Sequence, residues 1–166
     1  MQFAKDSFYV ALRDRLAALN PARVVYLDGA NRPAMIVAEN QMPGSLVPFD
    51  NAFYLRWGAA RVLASTQHAR RPLVALDCVL SYRTSGTEDN SFSDRGRTLA
   101  ALDGELLSIC SPGATAKQDF SQTPVLDLGT KVLWRRPILA DMEVIGSELR
   151  RSAALTIFFF PEADLP

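Results

Sequence analysis

Residues 73 to 83, L-V-A-L-D-C-V-L-S-Y-R, alternate between two chemistries. Val74, Leu76, Cys78, Leu80 and Tyr82 share one side of an extended chain, and Asp77, Ser81 and Arg83 fall on the other. An alternation this long sets the environment as well as the conformation. One face of the strand needs an apolar cover, and the other meets water or polar neighbours.

The end of the chain has the same period. Leu149, Arg151, Ala153, Leu155, Ile157 and Phe159 fall on one face, and Arg150, Ser152, Ala154, Thr156, Phe158 and Phe160 on the other. The second face starts polar and turns apolar, as in a strand whose far end is covered on both sides. Pro161 brings no N–H and ends the ladder. The uncharged run from Ser152 to Phe160 is far shorter than the ~20 residues of a helical membrane span. The triple Phe therefore reads as core, with part of it available to a neighbouring subunit.

Two helices can supply the cover. In residues 5 to 19, Phe8, Leu12, Leu16 and Leu19 recur on one face of a 3.6-residue period. Asn20-Pro21 stops this helix, because the residue before proline avoids the α region. A second helix begins near Asp94, capped by Ser93 or by Ser91 with Asp94. Leu99, Leu102, Leu106 and Ile109 form its stripe, and Pro112-Gly113 ends it.

The remaining segments are less regular. Residues 23 to 28 and 34 to 39 predict two strands of a hairpin, with 29 to 33 as turn. Residues 40 to 51 read as loop. Residues 53 to 64 alternate aromatics with Arg56, and Gly58 marks a bulge. A polar connector holding His68 follows, and 84 to 93 is loop. Residues 114 to 130 read as a long connection. Residues 131 to 137, 142 to 145 and the closing strand form an antiparallel meander. The fold class is α+β, a mainly antiparallel β-sheet with two helices packed on one face, in a single domain over 1–166.

Composition narrows the function. Lys plus Arg and Asp plus Glu number 18 each, so the chain lacks the basic excess that phosphate backbones demand. Arg70-Arg71, Arg135-Arg136 and Arg150-Arg151 are separate pairs, and strand alternation splits such a pair between faces. Cys78 and Cys110 sit in apolar periodic segments and read as small buried hydrophobes, which implies a reducing compartment. Lys5 and Asp6 interrupt the apolar run that a signal peptide needs. His68 has no second ligand at metal spacing and reads as a solvated loop residue. Arg95 and Arg97 at a helix start, without repeated glycines, read as solvated rather than as an anion site. No catalytic motif, cofactor motif or metal motif is present in the sequence.

Phe49, Phe53, Tyr54, Arg56 and Trp57 follow a Pro-rich loop. Aromatics with arginine are the residues that protein interfaces enrich, and they equally suit a piece of core. The sequence leaves both readings open. With Phe158 and Phe160, these residues are the candidate oligomer or partner interface.

In order, F-Y-V-A-L-R-D-R-L-A-A-L, V-V-Y-L-D-G-A-N-R-P-A-M-I-V-A-E, L-V-A-L-D-C-V-L-S-Y-R, S-D-R-G-R-T-L-A-A-L-D-G-E-L-L-S-I and S-A-A-L-T-I-F-F-F give helix, hairpin, strand, helix and final strand. This order resembles the tail terminator, or tail-completion, proteins of long-tailed bacteriophages and prophages, and residues 40 to 65 depart from it. The resemblance rests on element order and hydrophobic pattern, with no signature residue to transfer. It implies a structural, non-enzymatic subunit that forms a ring with copies of itself on the tail tube. It implies contacts with tube and head–tail connector proteins, and no direct contact with nucleic acid or membrane. It also implies no cofactor, and a location in the cytoplasm during assembly and then in the virion. A head–tail joining protein, or a small α+β ligand-binding domain or enzyme with a pocket between helices and sheet, are the alternatives.

Overall fold

The computed structural model describes residues 1–41, 48–63, 72–87 and 93–161. The chain folds as α+β, and the described residues form helices α1 (Gln2–Leu19) and α3 (Arg95–Ile109), the four-residue α2 (Ala38–Gln41), and ten strands. The strands are β1 (Val24–Leu27), β2 (Ala30–Pro33), β3 (Met35–Val37), β4 (Phe53–Val62), β5 (Val74–Thr84), β6 (Gly113–Asp119), β7 (Leu126–Trp134), β8 (Ile138–Leu139), β9 (Glu143–Ile145) and β10 (Glu148–Phe159).

The centre of the molecule is the antiparallel pair β5–β10, in register from Thr84↔Leu149 to Val74↔Phe159. Both of its members are strands that the alternating runs predict; their pairing with each other is not written in either run. Leu76, Cys78, Leu80, Tyr82, Ala153, Leu155, Ile157 and Phe159 are all buried on its inner face. The main sheet runs β3-β4-β5-β10-β7-β6, with β8 and β9 also on β10. All of its pairings are antiparallel except β3 with β4.

Both long helices pack on that inner face. Phe8, Leu12 and Leu16 of α1 and Leu99, Leu102, Leu106 and Ile109 of α3 join the same core. Phe8 meets Trp57 and Trp134 edge-on, at 6.1 and 5.2 Å between ring centroids. Leu19, the last residue of the predicted α1 stripe, is half exposed instead. Each fully buried Leu or Phe contributes about 1.5–3 kcal/mol. The helices are also tied by charge. Glu105 of α3 accepts two hydrogen bonds from Arg23, both 2.8 Å, and one of 2.7 Å from Asn20 at the end of α1. Arg15 of α1 donates to the terminal carbonyls of α3, Ile109 at 2.9 Å and Ser111 at 3.2 Å. A Cβ on Gly113 would sit 2.9 Å from that guanidinium, so glycine keeps the cap open.

Several segments differ from expectation. The first hairpin turns at Asp28-Gly29, both with positive φ, and pairs Leu27 with Ala30. Two such residues form the tight turn that suits strand twist, so its second strand is 30–33 rather than 34–39. Met35–Val37 joins β4 instead, in parallel. The supposed long connection at 114 to 130 is largely the β6–β7 hairpin. Its first strand, β6, carries no large apolar residue, and much of β7 is exposed, so the pair lacks a sustained apolar alternation. The predicted meander is different too: β7, β8 and β9 each lie in turn along β10. The α3 N-cap is Asp94, but without a side-chain cap bond. Its carboxylate accepts from Thr87 N and Oγ1, both 2.8 Å. The bulge at Gly58 is present: the register shifts between Trp57 and Ala60, and a Cβ there would meet the Asp77 carbonyl at 3.2 Å. His68, Arg70, Arg71 and residues 88 to 92 of the loop at 84 to 93, Ser91 among them, lie outside the described residues.

Candidate assembly surfaces

The face of β4–β5–β10 away from the helices has no layer over it among the described residues. Its polar side chains satisfy one another across the strands. Asp77 of β5 accepts from Arg61 of β4 at 2.9 Å and from Thr156 of β10 at 2.7 Å. Further along, the nearly buried Arg83 pairs with Glu148 at 2.7 Å and lies 3.0 Å from Asp50, an ion pair without hydrogen-bond alignment at Nε. Arg83 also donates to the Pro48 carbonyl. Glu148 accepts a second cation, Arg150, at 2.8 Å. The Arg150 hydrogen bond, with Arg83 beside it, outweighs desolvation and holds the Glu148 carboxyl below its ordinary range.

Arg150 and Arg151 show what alternation does to a charged pair. Arg150 stays on the open face, and Arg151 turns inward to Asp103 of α3. Asp103 also accepts the Tyr82 hydroxyl. Burial, reinforced by that carboxylate, pushes the Tyr82 phenol above its ordinary value. The same burial pushes the Cys110 thiol up to about 12 and raises Cys78, so both cysteines are buried free thiols with little thiolate.

The open face curves into a trough of about 440 Å³. Tyr54, Arg56, Val79, Ser81 and Arg150 line its floor and one wall, and Asp141 and Glu143 line the other. Between helices and sheet, where a ligand pocket was the alternative, the described residues of both layers join one hydrophobic core. Among the described residues no group of three or more His, Cys, Asp or Glu could hold a metal ion. No described helix is long and apolar enough to cross a membrane.

Parts of the sheet edge expose apolar side chains among the described residues. On the β10 side Ile138 is 75% exposed and Val144 58%, beside Met142 and Ile145. On the β4 side Val62 is 67% exposed, beside Leu63. At the end of β10, Leu133 and Phe160 are accessible. The seven interface candidates divide accordingly. Phe53 and Tyr54 are buried within the subunit, and Phe49 and Trp57 are half-buried against its core. Arg56 is exposed. Phe158 is half-buried on the open face under Arg135, 5.4 Å from its ring, and Phe160 is 37% exposed. Sequence reasoning missed Ile138, Val144 and Val62. The only hint was short apolar runs between turn residues, which do not announce an exposed rim.

No protein family and no curated protein matches the chain. One solved chain, from "Virion of native gene transfer agent (GTA) particle", aligns over 95% of this chain and 98% of its own, at 15% identity and a TM-score of 0.38. A likeness of that depth carries no argument about function.

Proposed function

We propose that the chain is a structural, non-enzymatic subunit of a phage-type particle, a ring-forming tail terminator or completion protein at the head–tail junction. The element order behind this resemblance includes the β5–β10 centre and the two helices on one face. The supporting observation is that two different stretches of the sheet edge expose apolar side chains: Val62 and Leu63 on one, Ile138, Val144 and Ile145 on the other. Exposed apolar patches mark interaction sites. Contact between two unlike patches is head-to-tail, and head-to-tail contacts close into rings when the rotation allows. Arg56, Phe158 and Phe160 are the accessible members of the candidate interface. Its partners are copies of itself, the tail tube and the head–tail connector, met in the cytoplasm before incorporation into the virion. A head–tail joining subunit would share these surfaces.

Light scattering across a concentration series, with negative-stain images, tests the reading. The expected result is a closed species of fixed subunit number. A monomer at all concentrations, and no binding to purified tail tubes, would remove it. The trough on the open face supports a second reading, a small-ligand site. A thermal-shift screen that raises Tm with one ligand class, in a chain that stays monomeric, would favour it.

A further inference from the structure

Resting on the reading of this chain as a self-assembling subunit, we propose that successive copies join by strand addition. The open half of β4, from Arg56 to Val62, pairs with the free edge around β8–β9, residues 138 to 145, of the next copy.

Four observations carry this. First, both edges are unpaired among the described residues. β3 covers β4 only from Phe53 to Leu55, leaving the rest without a ladder partner on that side. β8 and β9 pair with β10 and with nothing beyond. An unpaired edge is a ready template for another strand.

Second, the directions agree. β9 is antiparallel to β10. β10 and β4 are both antiparallel to β5, so they run the same way. A copy related by rotation about an axis near the strand direction therefore brings β4 to β9 antiparallel, the more stable pairing. β9 and the open half of β4 lie at different heights along the strands. A sheet that closes on itself must be tilted and staggered, and such a stagger brings unlike heights together.

Third, the charges are complementary. Arg56 is exposed and has no ion pair among the described residues. Glu143 is exposed, and neither it nor Asp141 has an ion pair among the described residues. Pairing like with like would set Arg56 near the Arg56 and Arg61 of a second copy, or Glu143 near a second Glu143. That repulsion selects unlike edges, and unlike edges give a head-to-tail joint. Fourth, the apolar content fits the same register: in an antiparallel pairing that sets Arg56 beside Glu143, the exposed Val62 and Leu63 fall beside the exposed Ile138.

Cysteine cross-linking tests the joint, because the native Cys78 and Cys110 are buried and do not compete. V62C and I138C are made singly, checked for unchanged circular dichroism, and oxidised alone and mixed. The mixture is expected to yield a covalent dimer and each single variant little, while the double variant yields a ladder of multimers. A charge exchange gives an independent readout. Arg56→Glu is expected to raise the concentration at the assembly midpoint about tenfold, and adding Glu143→Arg to restore it.

A ring seen by light scattering without the V62C–I138C product, or with like-with-like products dominant, overturns the strand-edge joint and leaves the ring intact. A chain that is monomeric at every concentration and never cross-links removes both.

Discussion

Along β10 the helix-facing side and the open side are built from alternate residues of one strand, yet they are held in different ways. Ala153, Leu155, Ile157 and Phe159 are buried under α1 and α3. Thr156 and Arg150, one residue out of phase, are held by polar contacts to Asp77 and Glu148. At the strand's end the contrast narrows to neighbours, with Phe159 fully buried and Phe160 more than one-third exposed. Burial makes the inner face a matter of volume and shape, felt at every methylene. The open face is held by bonds that water can partly replace, so it is free to change without unfolding the domain. That freedom is what a surface for partners requires.

The largest effect is expected where the inner face is opened. Phe159→Ala should destabilise the monomer by about 3–5 kcal/mol in denaturant unfolding, from lost transfer energy and a residual cavity. A value near that of an exposed site would mean that the two faces differ less than their burial indicates. Next comes the polar link under α3. Asp103→Ala strips the acceptor from Tyr82 and the counter-ion from Arg151, and should cost about 2 kcal/mol.

Alkaline pH probes the same link. Tyr82 keeps its proton in the folded state above its ordinary value of 10.0, while the unfolded chain releases its own. The unfolded state then binds fewer protons, so stability falls as pH rises past that value. Tyr54, also raised mainly by burial, adds to the fall. Tyr82→Phe should leave the alkaline limb of stability against pH shallower, and an unchanged limb would remove Tyr82 as its cause.

On the open face the effects shrink. Glu148, lowered by Arg150 and Arg83, lends stability that is present above its ordinary value of 4.5 and is lost as pH falls through the lower folded value. Glu148→Gln should flatten that acid limb and cost no more than about 1 kcal/mol at neutral pH. Phe160→Ala should leave monomer stability within about 0.5 kcal/mol. Its effect is expected in assembly, read as a shift of the light-scattering midpoint. A loss of monomer stability as large as that of Phe159→Ala would erase the comparison.

Some of this was legible from local pattern. The strands at 73–83 and 149–159 and the stripes of both helices follow periodicities of two and 3.6, and core-facing residues obey them closely. Gly58 signalled its bulge through the absence of a side chain. The Asp28-Gly29 turn was legible too, since that dipeptide suits positive φ at both positions, but the longer apolar run at 34–39 drew the second strand away from it. The β6–β7 hairpin was not. Lys117 and Asp119 are buried in it, and Lys117 reaches back to the Phe160 carbonyl at 2.7 Å, a destination 43 residues away. Among the candidate interface residues, Phe53 and Phe160 looked alike in sequence, and only the position of the helices separates core from surface.

The sequence by itself determined the α+β class, the two long strands at 73–83 and 149–159 and the face of each that would be covered. Each follows from repeating contacts a few residues apart, which write a period into the chain. Only the tertiary structure decided that β5 and β10 would be neighbours, that Arg83 would gather Asp50 and Glu148, that Arg151 would cross to Asp103, and that β4, β6, β8 and β9 would keep open edges among the described residues. Those features depend on which strands become neighbours. That choice is set by non-local packing over tens of residues, and no local period records it.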